Sequence, residues 1–477
     1  MRAVFRCDAS VSLGIGHVMR CLAFAETLAS VGWTCRFATG PETVAAVPAL
    51  AASGCEIGNA NDLDDASIAL FDHYGIDACI ERPARERGAT VVAFDDLADR
   101  SHDCAILVDP TPSRKPQDYA PYVPQDCRLM LGPMHAIIRA PWLLHRADSR
   151  ARLAQPVLVK TIVVSMGGTD PLRATGRVLK ALEAAHDGAS IEVILGAGSP
   201  GCEEIAQAAD RNVTLHVDPA DPAQIVAGAD MVIGAPGTSS FERAVLGMPA
   251  ILIPLAENQR LVAQTFMDAG AAEIVPAALL DLPTALGEKI AAFVADAGRR
   301  ATMSRNAAAL TDGRGRFRLL AAIAGEVKTR AGLPARLRLA EREDETWLLD
   351  LQRQDATRRY ALNPTVPNAQ EHANWFARIL ENPQRLLMIV EAEGNAAGML
   401  RLDRLPDEAP SFEVSIAVDS RRHGEGIGAA TLALVRRLAP GADLIATVKP
   451  ENIRSLALFS SAGYRPDGRG RFRSCAT

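Results

Sequence analysis

Residues 6–21 read RCDASVSLGIGHVMRC, and His17 stands directly behind two closely spaced glycines, Gly14 and Gly16. The run after them has helical spacing. Glycines at a helix start let the backbone approach a ligand, and the unsatisfied N–H groups there attract phosphate. An imidazole at that mouth could move a proton. The same residues would also serve a plain tight turn with His17 as a cap. Two further turns sharpen the choice. SMGGTDP (165–171) and GAPGTSSFERAVLGMPAILIPLAENQ (234–259) each follow an apolar run with glycines, and Glu242 falls in the first turns of the second one's helix. An acidic residue beside a phosphate turn commonly accepts ribose hydroxyls. Facing phosphate turns suit a nucleoside diphosphate. A third kind of chemistry is suggested by VDSRRHGEGIGAATLALVRRL (418–438), where Gly424, Gly426 and Gly428 again lie between a strand and a helix.

The elements that must hold these residues are strands alternating with helices. AVFRCD, TCRFAT, SIALFDHY, TVVAFDD and AILVDPT form one series, reaching residue 150. TIVVSMGG, SIEVILGAG, NVTLHVDP, DMVIGAPG and AILIPL form a second, from 151 to 330. Such alternation predicts parallel sheets, with ligands at the C-terminal strand ends. The charged stretch ADSRARLAQPVLVK between the two series reads as a linker. After KTRAGLPAR the pattern changes, and residues 335–477 read as a separate α+β unit with a hairpin turning at EGNA. The fold class expected is therefore α/β, two Rossmann-type halves followed by an α+β domain.

The chain has 477 residues, 48% of them hydrophobic, and carries 51 basic against 57 acidic side chains for a net charge of −6. That balance argues against nucleic acid as a partner. The first residues lack the apolar core of a secretory leader, and the apolar runs are strand-sized, so a cytoplasmic protein with no membrane partner is expected. The nine cysteines are scattered without a CxxC pair, which reads as free thiols. Asp95 and Asp96 could suggest a metal site, but turns that already stabilise phosphate make a metal unnecessary, and none is expected.

RCDASVSLGIGHVMRCLAFAETL, DHYGID (72–77), FDDLADR (94–100), SMGGTDP and GTSSFERAVLGMPAILIPLAENQ together make residues 1–330 resemble the sugar-nucleotide hydrolases of pseudaminic acid biosynthesis. The resemblance implies a glycosyltransferase-B-like fold. It implies hydrolysis of UDP-2,4-diacetamido-2,4,6-trideoxy-β-L-altropyranose to UDP and free sugar. The second half also resembles the UDP-binding half of the lipid-linked N-acetylglucosaminyltransferase of peptidoglycan synthesis. By these likenesses His17 is the base that activates water, with inversion, and Tyr74 and Asn258 meet the sugar. Glu242 holds the ribose, and Thr238, Ser239 and Ser240 lie at the phosphates with Gly14, Gly16 and Gly168. Asp8 is a candidate to orient His17 or, equally, to close the turn. UDP leaves readily once its charge is stabilised, whereas water needs a base, and a neutral imidazole suits that work. A glycosyltransferase sharing this fold, and a non-catalytic sugar-nucleotide-binding protein, are the rival readings.

SFEVSIAVD, the glycine loop and NIRSLALFSSAGY (452–464) make the third unit resemble the GNAT N-acetyltransferases. The resemblance implies acetyl-CoA as co-substrate, bound through Arg422, Gly424, Gly426, Ile427, Gly428 and Asn452. His423 stands where relatives carry Arg or Gln. Phe459 stands where many carry a tyrosine acid, so the thiolate is left to Tyr464 or to water for its proton, and Glu413 is the candidate base, directly or through water, or else a solvated strand residue. His372, Trp375 and Phe376 are candidates to line the acceptor site, with core packing the stronger reading for Phe376. The unit also resembles the acetyltransferase of the same pathway, which acetylates the C4 amine of the UDP-amino-sugar before UDP is removed. UDP-amino-sugars, acetyl-CoA and neighbouring pathway enzymes are the partners implied.

Overall fold

The computed structural model describes the chain except residues 11–12, 171, 186–187, 209–211, 469 and 476–477. Pro171 of the SMGGTDP turn thus lies outside the described residues. The chain divides into two compact units, one of residues 3–25 and 35–316, the other of residues 1–2, 26–34 and 317–477.

The larger unit is built on two sheets. The first has seven strands, β1 (Arg2–Cys7), β2 (Thr34–Ala38), β3 (Glu56–Gly58), β4 (Ile68–Asp72), β5 (Thr90–Phe94), β6 (Ile106–Asp109) and β7 (Arg128–Leu131), in the order β3-β2-β1-β4-β5-β6-β7. The second has six, β8 (Thr161–Ser165), β9 (Ser190–Leu195), β10 (Val213–Val217), β11 (Met231–Gly234), β12 (Ala250–Leu252) and β13 (Glu273–Ile274), in the order β10-β9-β8-β11-β12-β13. β1 pairs with β4 and β8 with β11, both in parallel. The central strands are short, continuous apolar runs buried on both faces, as in Ile68–Asp72 and Met231–Gly234. That is the pattern of a parallel sheet covered by helices on each side. Each order reverses next to its first strand, at β1/β4 and at β8/β11. A crevice opens at such a reversal, beyond the C-terminal strand ends.

Seven helices matter below: α1 (Gly16–Ala29), α2 (Arg146–Leu153), α3 (Ala174–Ala185), α4 (Thr238–Val245), α5 (Ala369–Glu381), α6 (Ile427–Leu438) and α7 (Ile453–Ser461). α1 follows β1 and α4 follows β11, so each begins at the crevice end of its sheet. α2 corrects the reading of residues 147–160 as a linker. Its side chains satisfy carbonyls of the second half: Ser149 bonds Leu246, Arg150 bonds Val245 and Thr311, and Arg152 bonds Ala227. Charge alone suggested a solvated segment, but arginine forks can cap carbonyl groups at the ends of buried helices.

The smaller unit holds an eight-stranded sheet, β14 (Glu326–Lys328), β15 (Pro334–Leu339), β16 (Arg385–Ala392), β17 (Asn395–Arg404), β18 (Ser411–Val418), β19 (Asp443–Thr447), β20 (Arg465–Pro466) and β21 (Arg471–Ser474), in the order β14-β15-β16-β17-β18-β19-β21-β20. β14 lies on the second segment's side of the expected boundary at 330, yet it pairs antiparallel with β15 and belongs to the third sheet. β16 and β17 form the expected hairpin. Its turn residues Glu393 and Gly394 both have positive φ, 53° and 75°, as a tight right-twisting hairpin requires. Among the described residues no helix is long and apolar enough to cross a membrane.

One close approach ties strand ends to a site turn. The Gly168 carbonyl accepts the Gly196 N–H at 3.0 Å and the Ser199 hydroxyl at 2.7 Å. A methyl on Gly196 would stand 2.4 Å from that same carbonyl oxygen. Gly196→Ala should therefore cost about 1–3 kcal/mol through forced backbone movement, read as a lower urea midpoint. A change below about 0.5 kcal/mol, the range of ordinary surface substitutions, would contradict this account of the turn.

Candidate active site

The site starts from a buried carboxylate. Asp72 ends β4 and is fully buried, with Oδ1 2.6 Å from His17 Nδ1. Arg20, one helical turn beyond His17, grips the same carboxylate with Nε at 2.7 Å and Nη2 at 2.6 Å. Cys21 adds a thiol donor at 3.7 Å. Phe94 lies beneath the guanidinium, its ring centre 5.2 Å away. Burial by itself would raise the Asp72 pKa, but Arg20 and then His17 outweigh it and hold the carboxyl well below the usual carboxylate range. Arg20 is buried too, and Asp72 holds its pKa above the usual value.

An ionised carboxylate at Nδ1 selects the tautomer with the proton on that nitrogen. Nε2 is then left with a lone pair for proton abstraction. Tyr74 stands edge-on to the imidazole, ring centres 4.7 Å apart. Its hydroxyl accepts from Asn258 Nδ2 at 3.2 Å and donates to Asp96 Oδ2 at 3.4 Å. Burial, with Asp96 beside it, pushes the Tyr74 phenol up to about 12. The two residues expected at the sugar, one from each half of this unit, are therefore bonded to each other beside His17.

The glycine turns converge at the same place. Gly14 has φ of 77°, and its N–H closes the turn on the Ser10 carbonyl at 2.8 Å. A methyl on Gly16 would reach Thr238 Oγ1 at 3.4 Å, and one on Gly168 would stand 2.8 Å from Ile15 Cδ1. Thr238 and Ser239 open α4. Glu242 Oε1 accepts from Arg139 Nε at 3.1 Å, a partner that sequence reading did not assign.

Two expectations are corrected, for Asp8 and Ser240, and the carboxylates of Asp95 and Asp96 find other partners. Asp8 does not orient His17: it bonds the Thr39 hydroxyl at 3.1 Å and pairs with Arg6 at 2.6 Å. The Ser240 side chain does not face the turn's open side. It is 1% exposed, and its oxygen accepts from Gly237 N–H at 3.2 Å and Arg243 Nη2 at 3.0 Å, capping the helix instead. Asp95 and Asp96 do not make a paired metal site. Asp95 is taken by Arg100, the Ala98 N–H and the Tyr119 hydroxyl, while Asp96 receives Tyr74. Burial, with Asp95 adding to it against the pull of Arg20, raises the Asp96 pKa. Among the described residues no group of three or more His, Cys, Asp or Glu side chains is arranged to hold a metal ion.

In the smaller unit, β18 pairs in parallel with β19 only over Ser411–Glu413 and Asp443–Ile445. β18 continues to Val418, so the strands part just beyond Glu413 and leave an open edge. Glu413 accepts from the Thr447 hydroxyl at 3.1 Å and stands opposite Asp403 across β17. Gly424 and Gly426 have φ of 92° and 88°, and Gly426 caps α6. Ile427 is buried as the first residue of α6. A methyl on Gly428 would meet Leu458 of α7 at 3.0 Å, so its role includes helix packing. Arg422 is engaged by Glu425 at 2.8 Å and by the Ala392 carbonyl. Asn452 spends its Oδ1 on capping α7 through the Ser455 N–H.

Two assignments here do not survive as surface groups. Tyr464 is 5% exposed and packs edge-on against Phe459, and its buried hydroxyl has no hydrogen-bond partner among the described residues. Burial pushes its phenol up to about 12. His372 and Phe376 are 2% and 1% exposed, with His372 bonded to the Glu345 carbonyl and Phe376 in the apolar core. Only Trp375 of that trio is partly open.

Comparison with known proteins follows the same division. Residues 161–316 match the glycosyltransferase family 28 C-terminal domain, and residues 335–465 match the acetyltransferase (GNAT) domain. Over 240 residues the chain is 25% identical to the UDP-2,4-diacetamido-2,4,6-trideoxy-beta-L-altropyranose hydrolase of Campylobacter jejuni, covering 49% of this chain and 84% of that protein. Over 264 residues it is 25% identical to the spore coat polysaccharide biosynthesis protein SpsG of Bacillus subtilis, covering 53% and 75%. A crystal structure of MurG from Acinetobacter baumannii aligns with 67% of this chain and 97% of its own, at 16% identity and a TM-score of 0.47. The chain thus joins a pair of parallel α/β sheets, the second matching the glycosyltransferase family 28 C-terminal domain and both lying in the part similar to a UDP-sugar hydrolase, to an α+β unit that matches the GNAT acetyltransferase domain. The latter supports acetyl-CoA as a co-substrate.

The ion pair at the base of His17 carries a sign that can be measured. Because folding lowers the Asp72 pKa, its contribution to stability is complete above the unfolded value of about 4 and fades as pH falls. Asp72→Asn leaves Arg20 buried without a counter-charge and should cost about 3–5 kcal/mol at neutral pH. Urea denaturation of both proteins down to acid pH should show that gap narrowing. A gap independent of pH would contradict the ionised state of Asp72.

Proposed function

We propose that the chain is a bifunctional enzyme of pseudaminic acid biosynthesis. Its first two sheets hydrolyse UDP-2,4-diacetamido-2,4,6-trideoxy-β-L-altropyranose. Its GNAT domain acetylates the C4 amine of the preceding UDP-amino-sugar with acetyl-CoA. The observation that carries the first activity is the Asp72–His17 pair at a glycine turn that meets the turns at Gly168 and Thr238.

In this reading the diphosphate lies at the turns of Gly14–Gly16, Gly168 and Thr238–Ser239, and Glu242, held by Arg139, accepts the ribose hydroxyls. His17 Nε2 takes a proton from water as its oxygen attacks C1 of the sugar. The C1–O bond to the diphosphate breaks, its electron pair leaves with UDP, and the configuration at C1 inverts. Charge that develops on the leaving phosphate meets the N-termini of α1 and α4. Asp72 stabilises the imidazolium that forms, while Tyr74 and Asn258 position the sugar.

In the GNAT domain the glycine loop at the start of α6 takes the pyrophosphate of acetyl-CoA through backbone N–H groups. The open edge of β18 beyond Glu413 receives the amide-bearing arm of the coenzyme. Glu413 removes a proton from the amine that attacks the acetyl carbon, and the thiolate of CoA departs. With the Tyr464 hydroxyl enclosed in the core, water is the better donor to that thiolate.

Incubation of the diacetylated UDP-sugar with the full chain, without acceptor or acetyl-CoA, should release UDP. His17→Asn should keep UDP affinity and lose about 10²–10⁴-fold in turnover, the usual worth of a general base. Near-wild-type turnover would remove His17 from the mechanism, and UDP release only on addition of a sugar acceptor would make the enzyme a glycosyltransferase. Given the 4-amino precursor instead, the chain should release UDP quickly only with acetyl-CoA present. Equal rates without it would show that the GNAT domain serves another substrate.

A further inference from the structure

Arg243 is a buried cation that the mechanism above does not use. It lies on α4 one residue after Glu242 and is 3% exposed. Its Nη2 turns back to the start of the helix, donating to the Ala235 carbonyl at 2.7 Å and to Ser240 Oγ at 3.0 Å. Nε and Nη1 are buried without a hydrogen-bond partner among the described residues. A methyl on Gly234 would lie 2.3 Å from Nη1 and 2.6 Å from the Ser165 carbonyl, so the guanidinium is pressed against the C-terminal ends of β8 and β11. These are the strand ends that feed the turns at Gly168 and Thr238. Arg243 lines a small cavity together with Met248, Leu252 and Phe266.

Among the described residues no carboxylate bonds this charge. The charge of Glu242 acts on it, and that carboxylate is already paired with Arg139. Burial lowers the Arg243 pKa to about 10, which still leaves it protonated at neutral pH. A buried charge with half its donors idle is expensive, and it persists where the surroundings or a ligand make use of it. The partial positive charge at the start of α4 points the same way and adds to it.

We propose that Arg243 is the fixed counter-charge of the diphosphate site, raising affinity for the anionic part of the nucleotide from beneath the Ala235–Ser240 turn without touching it. The proposal rests on the UDP reading for the identity of the ligand, but its charge dependence can be read separately. In the low-dielectric interior a buried charge acts over several ångströms with little screening. The uncharged uridine moiety should not feel it.

The test is calorimetry with UDP, uridine and inorganic pyrophosphate on the full chain and on Arg243→Met and Arg243→Lys, with Arg243→Gln as a second neutral variant should Met prevent folding. The neutral variants should lose about tenfold or more in affinity for UDP and pyrophosphate while uridine changes by less than about twofold, and Lys should restore most of the loss. Equal losses for all three ligands would make Arg243 a structural residue and overturn the proposal. Unchanged UDP affinity in the neutral variants would overturn it while leaving the UDP reading intact. Pyrophosphate binding that depends on Arg243, in a protein indifferent to uridine, would uphold the charge and overturn the UDP reading. A wild-type chain that binds none of the three would overturn both.

Discussion

The candidate hydrolytic site depends on one buried carboxylate. Asp72 sits at the end of β4, beside β1 in the middle of the first sheet, and cannot move without moving both strands. Arg20 balances its charge, and that balance is what allows a full carboxylate to stand behind His17 in the interior. A lone buried carboxylate would take up a proton, and the imidazole would lose the partner that fixes its tautomer. The sheet places the carboxylate, the arginine keeps it ionised, and the histidine inherits a defined orientation. α1 unites the parts: His17 and Arg20 are three residues apart and so share one helix face toward the strand end.

The same unit shows two ways of placing positive charge near a ligand. At α1 the arginine is neutralised by Asp72, and its work is internal. At α4 no carboxylate among the described residues bonds the arginine, and in the proposal above its charge serves an incoming anion. The difference follows from what ends the adjacent strand. β4 ends in Asp72, whereas β11 ends in Gly234, whose missing side chain makes room for a guanidinium.

Much of this could be read from residue types and spacing. The glycine turns before α1, α4 and α6, the alternation that gives two parallel sheets, and the hairpin at Glu393–Gly394 are local signals, and local signals survive folding. What was missed is long-range. Asp72 is the first residue of DHYGID, but 55 residues separate it from His17, whereas Asp8, only nine residues from His17, reads equally as its partner or as closing the turn. A carboxylate ending the apolar run IALFD was the available clue, since a charge there must find a buried counter-charge. Ser240 reads as a phosphate ligand until its hydroxyl is seen capping the turn. Residues 147–160 look like a charged linker until their arginines are seen bonding carbonyls far along the chain. Tyr464 and His372 show the converse: types that suggest chemistry but are placed in the core by sheet and helix packing, while Phe376 packs in the core as its type suggests.

The central claim is that a water molecule, activated by His17 and oriented through Asp72, attacks the sugar carbon rather than phosphorus. It is tested most directly by hydrolysing the diacetylated UDP-sugar in ¹⁸O-enriched water and weighing the released UDP. Cleavage at the C1–O bond leaves every original oxygen on the nucleotide, so the UDP should be free of label. Label in its terminal phosphate would place the attack on phosphorus and contradict the account.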